Sequence, residues 1–240
     1  MAFNKLAIKT IKLWDLDGTV INSFARVFPC MDDKGNLDLN MYREKACVHD
    51  AIMTDTLLPL VEYMRASLND PTVLNIIVTA RYMGKSDYYF LRKQRIRAGR
   101  GGNIQILSRD VLHRYIGDAD YKEVYYSKDG IYKTHYFEML KAEYPNATIT
   151  MIDDNKGVLA AAAAAAAGLQ TMDATAINDI LSIGVRLAGE SFIDEALDDD
   201  NDYQYLCERL AHCWEGMTEE ERSDYGIKPQ QFIQSLAIAS

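Results

Sequence analysis

The stretch IKLWDLDGTV, residues 11–20, decides the fold of this chain. Its apolar run ends in two carboxylates, Asp15 and Asp17, and Gly18 follows them at once. Side chains two residues apart on a strand point to the same side of a sheet, so we expect the two aspartates to be neighbours where a first strand ends. Carboxylates that lie so close repel each other unless a cation or a proton relieves the repulsion. By itself the pair indicates a turn capped by aspartates as readily as a chemically active site, and the rest of the chain must decide between the two.

Segments typical of strands and of helices alternate along the rest of the chain, and this alternation predicts an α/β fold. We expect a Rossmann-like parallel sheet with helices on both faces. The predicted strands are residues 6–16, 73–78, 104–107, 148–152 and 169–172. The predicted helices are residues 49–68, 86–97, 133–143 and 155–167.

Two further parts are predicted outside this sheet. Residues 26–39 are expected to form a hairpin around the turn at residues 32–36, and this hairpin would be a minimal cap. Beyond residue 188 the chain becomes acidic and amphipathic, and its recurring aromatic residues favour a helical appendage over a disordered tail. We therefore expect a core domain over residues 1–188 and a helical appendage over residues 189–240.

Polar side chains stand at the ends of several predicted elements. The carboxyl ends of parallel strands meet along one edge of a sheet, which is where ligands bind in this class of fold. We therefore expect residues that are remote in sequence to converge at that edge. The candidates, in chain order, are Asp15 with Asp17, Thr79, Lys133, and Asp153 with Asp154.

These residues resemble, in order, the four motifs of the haloacid dehalogenase superfamily of phosphohydrolases, whose nucleophile is an aspartate. The first motif, D-x-D-G-T after an apolar strand, stands at residues 15–19. The second, a Ser or Thr that ends an apolar strand, matches residues 76–79, and the third, a lysine at a helix start, matches Lys133. The fourth, an acid pair that ends an apolar strand, matches residues 151–154. The resemblance covers residues 6–175.

The resemblance implies a magnesium-dependent phosphatase that acts through a covalent aspartyl-phosphate. It implies that Asp15 attacks phosphorus, and that Asp17 protonates the leaving oxygen and then deprotonates the attacking water. Thr79 would donate a hydrogen bond to the phosphoryl group, and Lys133 would supply positive charge beside it. Oxygen atoms would hold Mg²⁺, from the carboxylate of Asp15, the main-chain carbonyl of Asp17, Asp153 and Asp154.

Several of these assignments have alternatives. Lys128 lies five residues before Lys133 and is a rival for the phosphate-binding lysine. Thr79 could be an ordinary buried hydroxyl at a strand end, and the acid pairs could be simple turn residues. The four histidines share no spacing, so we expect none of them to be catalytic.

The composition is that of a folded soluble protein, with 48% apolar and 25% charged residues. A net charge of −9 argues against broad, nonspecific affinity for nucleic acid. The sequence contains no apolar run long enough to span a membrane, and residues 1–5 lack the apolar core of a signal peptide. Its four cysteines are scattered, without a C-x-x-C pair. We therefore expect a cytoplasmic protein with reduced thiols.

The segment that follows Thr79 is expected to meet the substrate. Residues 81–100 hold seven basic residues and one acid, interleaved with tyrosines that could stack on bases. This segment is similar to the corresponding part of phage-type nucleotide phosphatases and of the 3′-phosphatase domain of phage polynucleotide kinase. A solvated basic helix face is the alternative. The expected substrate contacts are Thr19, Ala80, Arg81, Tyr82 and Lys85.

Three functions remain open from the sequence. We favour a Mg²⁺-dependent phosphatase that acts on a nucleotide or on a nucleic-acid end. The small cap predicts an open site, which suits a large substrate or closure by a partner subunit in a homo-oligomer. The second function is a small-metabolite phosphatase with the same mechanism. The third is a binding protein without activity, and the closely spaced carboxylates speak against it.

Overall fold

The computed structural model describes residues 7–98, 104–165 and 169–188, together with Thr218. The strands in this part of the chain are β1 (Thr10–Trp14), β2 (Ile21–Asn22), β3 (Thr56–Leu57), β4 (Val73–Thr79), β5 (Gln105–Ser108), β6 (Thr148–Asp153) and β7 (Gln170–Asp173). The α-helices are α1 (Phe24–Val27), α2 (Leu39–Met41), α3 (His49–Ile52), α4 (Val61–Ser67), α5 (Lys85–Lys93), α6 (Asp118–Tyr125), α7 (Asp129–Glu143), α8 (Lys156–Ala164) and α9 (Ala174–Ala188). Short 3₁₀ helices cover Phe28–Cys30 and Arg109–Arg114, and a π-helical turn covers Tyr42–Ala46.

Five strands form the main sheet in the order β5-β4-β1-β6-β7. The central strand β1 pairs in parallel with β4 and with β6, and β4 pairs in parallel with β5. The register places Trp14, the last residue of β1, opposite Ile77 and Ile152. The three central strands therefore end at a common edge. This sheet confirms the predicted α/β fold.

One face of the sheet packs against α7 and α8. Alternate residues of the central strands, such as Leu13, Ile76 and Met151, belong to the buried hydrophobic core. Phe137 of α7 and Val158 of α8 are part of the same cluster. The alanines of α8 have small side chains and high helix propensity, which suits a helix packed closely in this layer.

The opposite face carries a buried polar contact between the sheet and α4. Asn75 of β4 accepts a hydrogen bond from the indole Nε1 of Trp14 at 2.9 Å. It also accepts one from the hydroxyl of Ser67 at 2.9 Å and donates one to the main-chain oxygen of Ser67 at 3.1 Å. A buried polar side chain is stable only when its hydrogen bonds are made, so this contact fixes α4 against β4.

The prediction of a hairpin over residues 26–39 is wrong in its first arm. Residues 24–30 are helical, and only Met31 and Leu37 form an antiparallel bridge around the turn. Pro29 lies in the first turn of the 3₁₀ helix, where its missing N–H costs nothing. The side chain of Asp32 closes the turn by accepting hydrogen bonds from the main-chain nitrogens of Lys34 and Asn36.

The prediction of one helix over residues 49–68 is also wrong. Helices α3 and α4 are separate, and β3 between them pairs antiparallel with β2. Pro59 disfavours a helical conformation at the residue before it, which explains the break. Both short helices bury apolar side chains, so their combined pattern resembled that of one long helix.

Helix α7 begins at Asp129 and not at the predicted residue 133. Lys133 therefore lies in the second turn of the helix and does not open it. The segment before α7 contains the 3₁₀ helix Arg109–Arg114 and α6.

The chain divides into two compact units, Met1–Met172 and Asp173–Ser240. The predicted domain border at residue 188 and the predicted acidic appendage fall almost wholly outside the described residues, so both stay predictions. Among the described helices, none has both the length and the apolar character needed to cross a membrane.

Replacing Asn75 tests the polar contact between β4 and α4. Asn75→Ala leaves the buried indole N–H of Trp14 without its acceptor, whereas the hydroxyl of Ser67 keeps the main-chain oxygen of Met64. We expect a loss of about 2–3 kcal/mol in the free energy of unfolding, measured by urea denaturation. Asn40→Ala is the matched control, because Asn40 is exposed, and it should cost less than about 0.5 kcal/mol. Equal losses in the two variants would contradict the structural role of Asn75.

Candidate active site

Three acidic side chains meet at the carboxyl edge of the central strands. Asp15 follows β1 directly, and Asp153 is the last residue of the neighbouring strand β6. Carboxylate oxygens of Asp15, Asp153 and Asp154 all lie within 4.8 Å of one another. Asp15 and Asp153 are buried, and Asp154 is half-buried. The parallel pairing of β1 with β6 thus brings together acids that are far apart in sequence.

A single buried ammonium group joins two of these carboxylates. Lys133 Nζ donates hydrogen bonds to Asp15 Oδ1 at 2.6 Å and to Asp153 Oδ2 at 2.7 Å. Lys128, the rival lysine, is exposed and lines a separate cavity between the first turns of α7 and α8. Of the two candidate lysines, the structure brings Lys133 to the acids.

The charges around Lys133 do not balance. Burial raises the pKa of the Asp15 carboxyl well above its usual range, Lys133 opposes this effect, and Asp153 adds to it. Burial and then the charge of Asp153 raise the pKa of Asp154 to about 6. Burial favours neutral Lys133, but the two carboxylates outweigh it and raise the pKa of the ammonium group. Three carboxylates against one ammonium leave an excess of negative charge that a divalent cation would neutralise.

Gly18 makes room for the third carboxylate of this site. Its φ is +80°, a left-handed conformation that glycine adopts without steric cost. A Cβ atom at this position would lie 2.3 Å from Asp154 Oδ2, which is far inside van der Waals contact. The turn after β1 therefore lies directly against Asp154. The resulting cluster of carboxylate oxygens fits a hard cation such as Mg²⁺.

Asp17 belongs to a second, adjoining set of charges. Arg81 Nε donates to Asp17 Oδ2 at 2.9 Å, and its Nη atoms lie 3.1 Å from Asp55 and 2.8 Å from Asp87. Arg26 Nε lies 2.7 Å from Asp55, and its Nη2 lies 3.6 Å from Asp17. We call these five residues the arginine cluster. Only Asp17 is appreciably exposed, with 34% of its side chain accessible, so it is the member that can meet a ligand.

The arginine cluster keeps Asp17 ionised. Burial by itself would raise the pKa of Asp17, but the charge and hydrogen bonds of Arg81 outweigh it and lower that pKa. Hydrogen bonding by Ser23 and the charge of Arg26 act in the same direction. Asp15 and Asp17 are two residues apart and yet have pKa shifts of opposite sign, because burial dominates at Asp15 whereas Arg81 outweighs burial at Asp17.

Three members of the arginine cluster were not among the predicted site residues. Arg26 had been placed in a hairpin and Asp55 in a helix, and neither pattern indicated a buried ion pair. Asp87 carried a usable signal, because it is the one acid in the basic segment 81–100. It also accepts a hydrogen bond from the main-chain nitrogen of Gly84 at 2.9 Å, which caps the first turn of α5.

Thr79 holds the turn that carries Arg81. Its side chain is buried, and Oγ1 accepts a hydrogen bond from the main-chain nitrogen of Arg81 at 3.1 Å. The strand register places Ser108 of β5 opposite Thr79. Within the described part of the chain, the buried hydroxyls of Ser108 and Tyr132 have no hydrogen-bond partner. Buried hydroxyls without a partner are available to a water molecule or a ligand at this edge.

The remaining predicted substrate contacts differ in their exposure. Thr19 is completely buried, and Ala80 packs against the hydrophobic core. Arg81 is buried in the arginine cluster, whereas Tyr82 and Lys85 are exposed. Only the latter two therefore present whole side chains to solvent.

Comparison with known proteins gives a result that covers nearly the whole chain. The family model described as Bacteriophage T5 5′-deoxynucleotidase matches residues 3–239. The chain is 60% identical over 232 residues to a 5′-deoxynucleotidase of Escherichia phage T5, and the alignment spans 97% of this chain and 94% of that protein. No solved structure matched the chain. The chain therefore belongs to the Bacteriophage T5 5′-deoxynucleotidase family.

Proposed function

We propose that this protein is a Mg²⁺-dependent phosphatase of the haloacid dehalogenase type that hydrolyses deoxynucleoside 5′-monophosphates through an aspartyl-phosphate. The observation that carries the proposal is the buried contact of Asp15 with Lys133. Carboxylate oxygens of Asp153 and Asp154 lie within 4.8 Å of one of Asp15. The name of the phage T5 relative supports deoxynucleotides as the substrate class. The order of the four motifs along the chain supports the reaction type.

Asp15 is the proposed nucleophile. Lys133 binds its Oδ1, and this contact orients the carboxylate and stabilises its ionised form. An oxygen of Asp15 forms a bond to phosphorus while the bond from phosphorus to the 5′-oxygen breaks. The leaving oxygen takes up the proton of Asp17 and departs with the nucleoside. Water then attacks phosphorus, its proton goes to Asp17, the bond from phosphorus to Asp15 breaks, and phosphate leaves. Asp15, the main-chain carbonyl of Asp17, Asp153 and Asp154 would hold Mg²⁺, which would neutralise charge on the phosphoryl oxygens when bound.

Asp17 is the proposed acid and base. Its ionised state in the arginine cluster suits the second half of the reaction, in which a water molecule attacks the aspartyl-phosphate and gives up a proton. In the first half Asp17 must carry a proton, which requires a weaker ion pair with Arg81. The negative charge of a phosphate bound beside the exposed carboxylate of Asp17 would oppose the ionisation of Asp17, because both are anions. Substrate binding would in this way raise the pKa of Asp17 before the leaving group departs.

Two other expectations stay predictions, namely a cytoplasmic location and association into a homo-oligomer. Neither affects the roles proposed for Asp15 and Asp17.

Asp15→Asn tests the nucleophile. A carboxamide is a poor nucleophile, so we expect phosphate release from deoxynucleoside 5′-monophosphates to fall at least about a thousandfold. Asp33→Asn is the matched control, because Asp33 is exposed in the turn at residues 32–36, and its activity should equal that of the native chain. Assays with Mg²⁺ and with excess EDTA test the metal, and EDTA should abolish turnover.

The same assay includes a 5′-phosphorylated oligonucleotide and ribose 5-phosphate beside the mononucleotides. Faster hydrolysis of the sugar phosphate than of any nucleotide would indicate a metabolite phosphatase. Full activity of Asp15→Asn would rule out the aspartyl-phosphate.

Gly18→Ala tests the approach of the turn after β1 to Asp154. The added methyl group would displace the Asp154 carboxylate, so the Mg²⁺ concentration for half-maximal activity should rise at least about tenfold. Gly35→Ala is the matched control, since Gly35 has a φ of +79° and nothing within 4 Å of its Cβ position. Both variants carry the strain of a positive φ, about 1–2 kcal/mol. Equal Mg²⁺ requirements in the two variants would contradict a role of Asp154 in metal binding.

A further inference from the structure

A groove of about 460 Å³ is lined by four tyrosines and by charged side chains. The tyrosines are Tyr82, which follows β4, and Tyr121, Tyr125 and Tyr126 of α6 and its C-terminal end. Neither the sequence motifs nor the proposed chemistry uses the three tyrosines of α6.

The tyrosines of the groove are arranged as an open aromatic surface. The rings of Tyr121 and Tyr125 are 5.4 Å apart, and those of Tyr125 and Tyr126 are 5.0 Å apart, in edge-to-face geometry. Tyr82 is 64% exposed and Tyr126 is 82% exposed. Tyrosines that serve packing are buried, as Tyr136 is in this protein. Exposed aromatic faces that line a groove are suited to stacking on a planar ligand.

One wall of the groove is joined to the arginine cluster. Tyr82 is the next residue after Arg81, whose guanidinium binds Asp17. The main-chain nitrogen of Met83 donates to Asp110 Oδ1 at 3.5 Å, and Asp110 also lines the groove. Tyr82, which belongs to this wall, is therefore adjacent in sequence to Arg81, whose side chain contacts the proposed acid and base Asp17.

The other wall is joined to the helix that carries Lys133. Arg109 Nη1 donates to the main-chain oxygen of Tyr125 at 2.7 Å. The guanidinium of Arg109 also lies 4.2 Å from the ring centre of Tyr132. Tyr132 precedes Lys133, which binds Asp15. Each wall of the groove is thus linked to a residue that is adjacent in sequence to a member of the candidate active site, Arg81 for one wall and Lys133 for the other.

The charge of the groove suits a nucleotide. Arg114 and Lys122 contribute positive charge, which attracts an anionic ligand. Asp110 contributes a carboxylate that can accept a hydrogen bond from a ring or exocyclic N–H group of a base.

A second exposed aromatic pair is a poorer candidate for base binding. Phe24 and Phe28 are 61% and 59% exposed, and their ring centres are 5.0 Å apart. Arg26 lies between them in sequence and points to Asp17 and Asp55. Residues two apart on a helix point in nearly opposite directions, so the two phenylalanines face away from the site.

We propose that the tyrosine groove binds the nucleobase of the substrate and so gives the enzyme its preference for nucleotides over other phosphate esters. This inference rests on the proposed function, because it assigns the base of the same molecule whose phosphate meets Asp15. The base stacks on Tyr82 and on the tyrosines of α6, while its phosphate lies at the strand edge.

The test compares two substrates that differ in the base. Deoxyadenosine 5′-monophosphate carries it, and 2-deoxyribose 5-phosphate lacks it. We expect Tyr82→Ala and Tyr126→Ala to lower the ratio of kcat/KM for the nucleotide to kcat/KM for the sugar phosphate at least about tenfold. Tyr82→Phe keeps the aromatic face and should retain most of the ratio. Phe24→Ala is the matched control, because Phe24 is exposed but faces away from the site, and its ratio should equal that of the native chain.

An equal loss on both substrates in Tyr82→Ala would overturn the proposal. A 5′-phosphorylated oligonucleotide in the same assay shows whether the bound base comes from a free mononucleotide or from a strand end. If the ratio falls only for the oligonucleotide, the groove binds the terminal base of a strand.

A binding measurement separates this proposal from the proposed function. In the Asp15→Asn background, calorimetric titration with deoxyadenosine 5′-monophosphate should give a Kd that Tyr82→Ala raises at least about tenfold. If the native chain hydrolysed no phosphate ester, the phosphatase would be rejected and this titration would still decide the groove. Equal Kd values with and without Tyr82 would overturn base binding even in an active phosphatase.

Discussion

The contact of Lys133 with Asp15 and Asp153 is the interaction on which the site depends. A buried ammonium and two buried carboxylates are each costly to remove from water, and they become stable only together. Since the three side chains come from β1, α7 and β6, the contact also joins the central strands to a helix that packs on them. Removing Lys133 would leave two buried carboxylates side by side without a positive charge between them. The packing of α7 on the sheet and the geometry of the site therefore depend on the same contact.

The arginine cluster explains how two aspartates of one short motif can have different tasks. Asp15 is buried beside Asp153, and its pKa is raised, whereas Asp17 faces Arg81 and Arg26, and its pKa is lowered. The proposed nucleophile Asp15 acts in its ionised form, which a divalent cation bound beside it would favour. Asp55 contributes without contact with the substrate, because its carboxylate lies between the two arginines and offsets their repulsion.

The sequence predicted the sheet and the acids at its edge because both depend on local pattern. An apolar run followed by a carboxylate is visible without knowledge of the fold, and the parallel pairing of β1 with β6 then determines where Asp15 and Asp153 lie. Residues 26–39 and 49–68 were misassigned because long-range contacts decide them. Arg26 is held by Asp55, and Thr56–Leu57 pairs with β2 across an intervening segment. The sequence likewise could not decide between Lys128 and Lys133, because both lie near the start of α7. Only the orientation of that helix shows which of the two side chains reaches the acids.

The segment between β5 and α7 shows how chemistry and recognition divide in this fold. The reacting groups lie at the ends of paired strands, where backbone hydrogen bonds hold them rigidly, whereas the tyrosine groove is built from a 3₁₀ helix and α6. Arg109 connects the two parts, because it binds the main chain beside the groove and stacks on the residue before Lys133. On the proposed base binding, a change in the aromatic wall would alter the preference for nucleotides while the strand edge keeps its geometry. Separate elements for binding and for reaction allow one set of catalytic carboxylates to serve many phosphate esters.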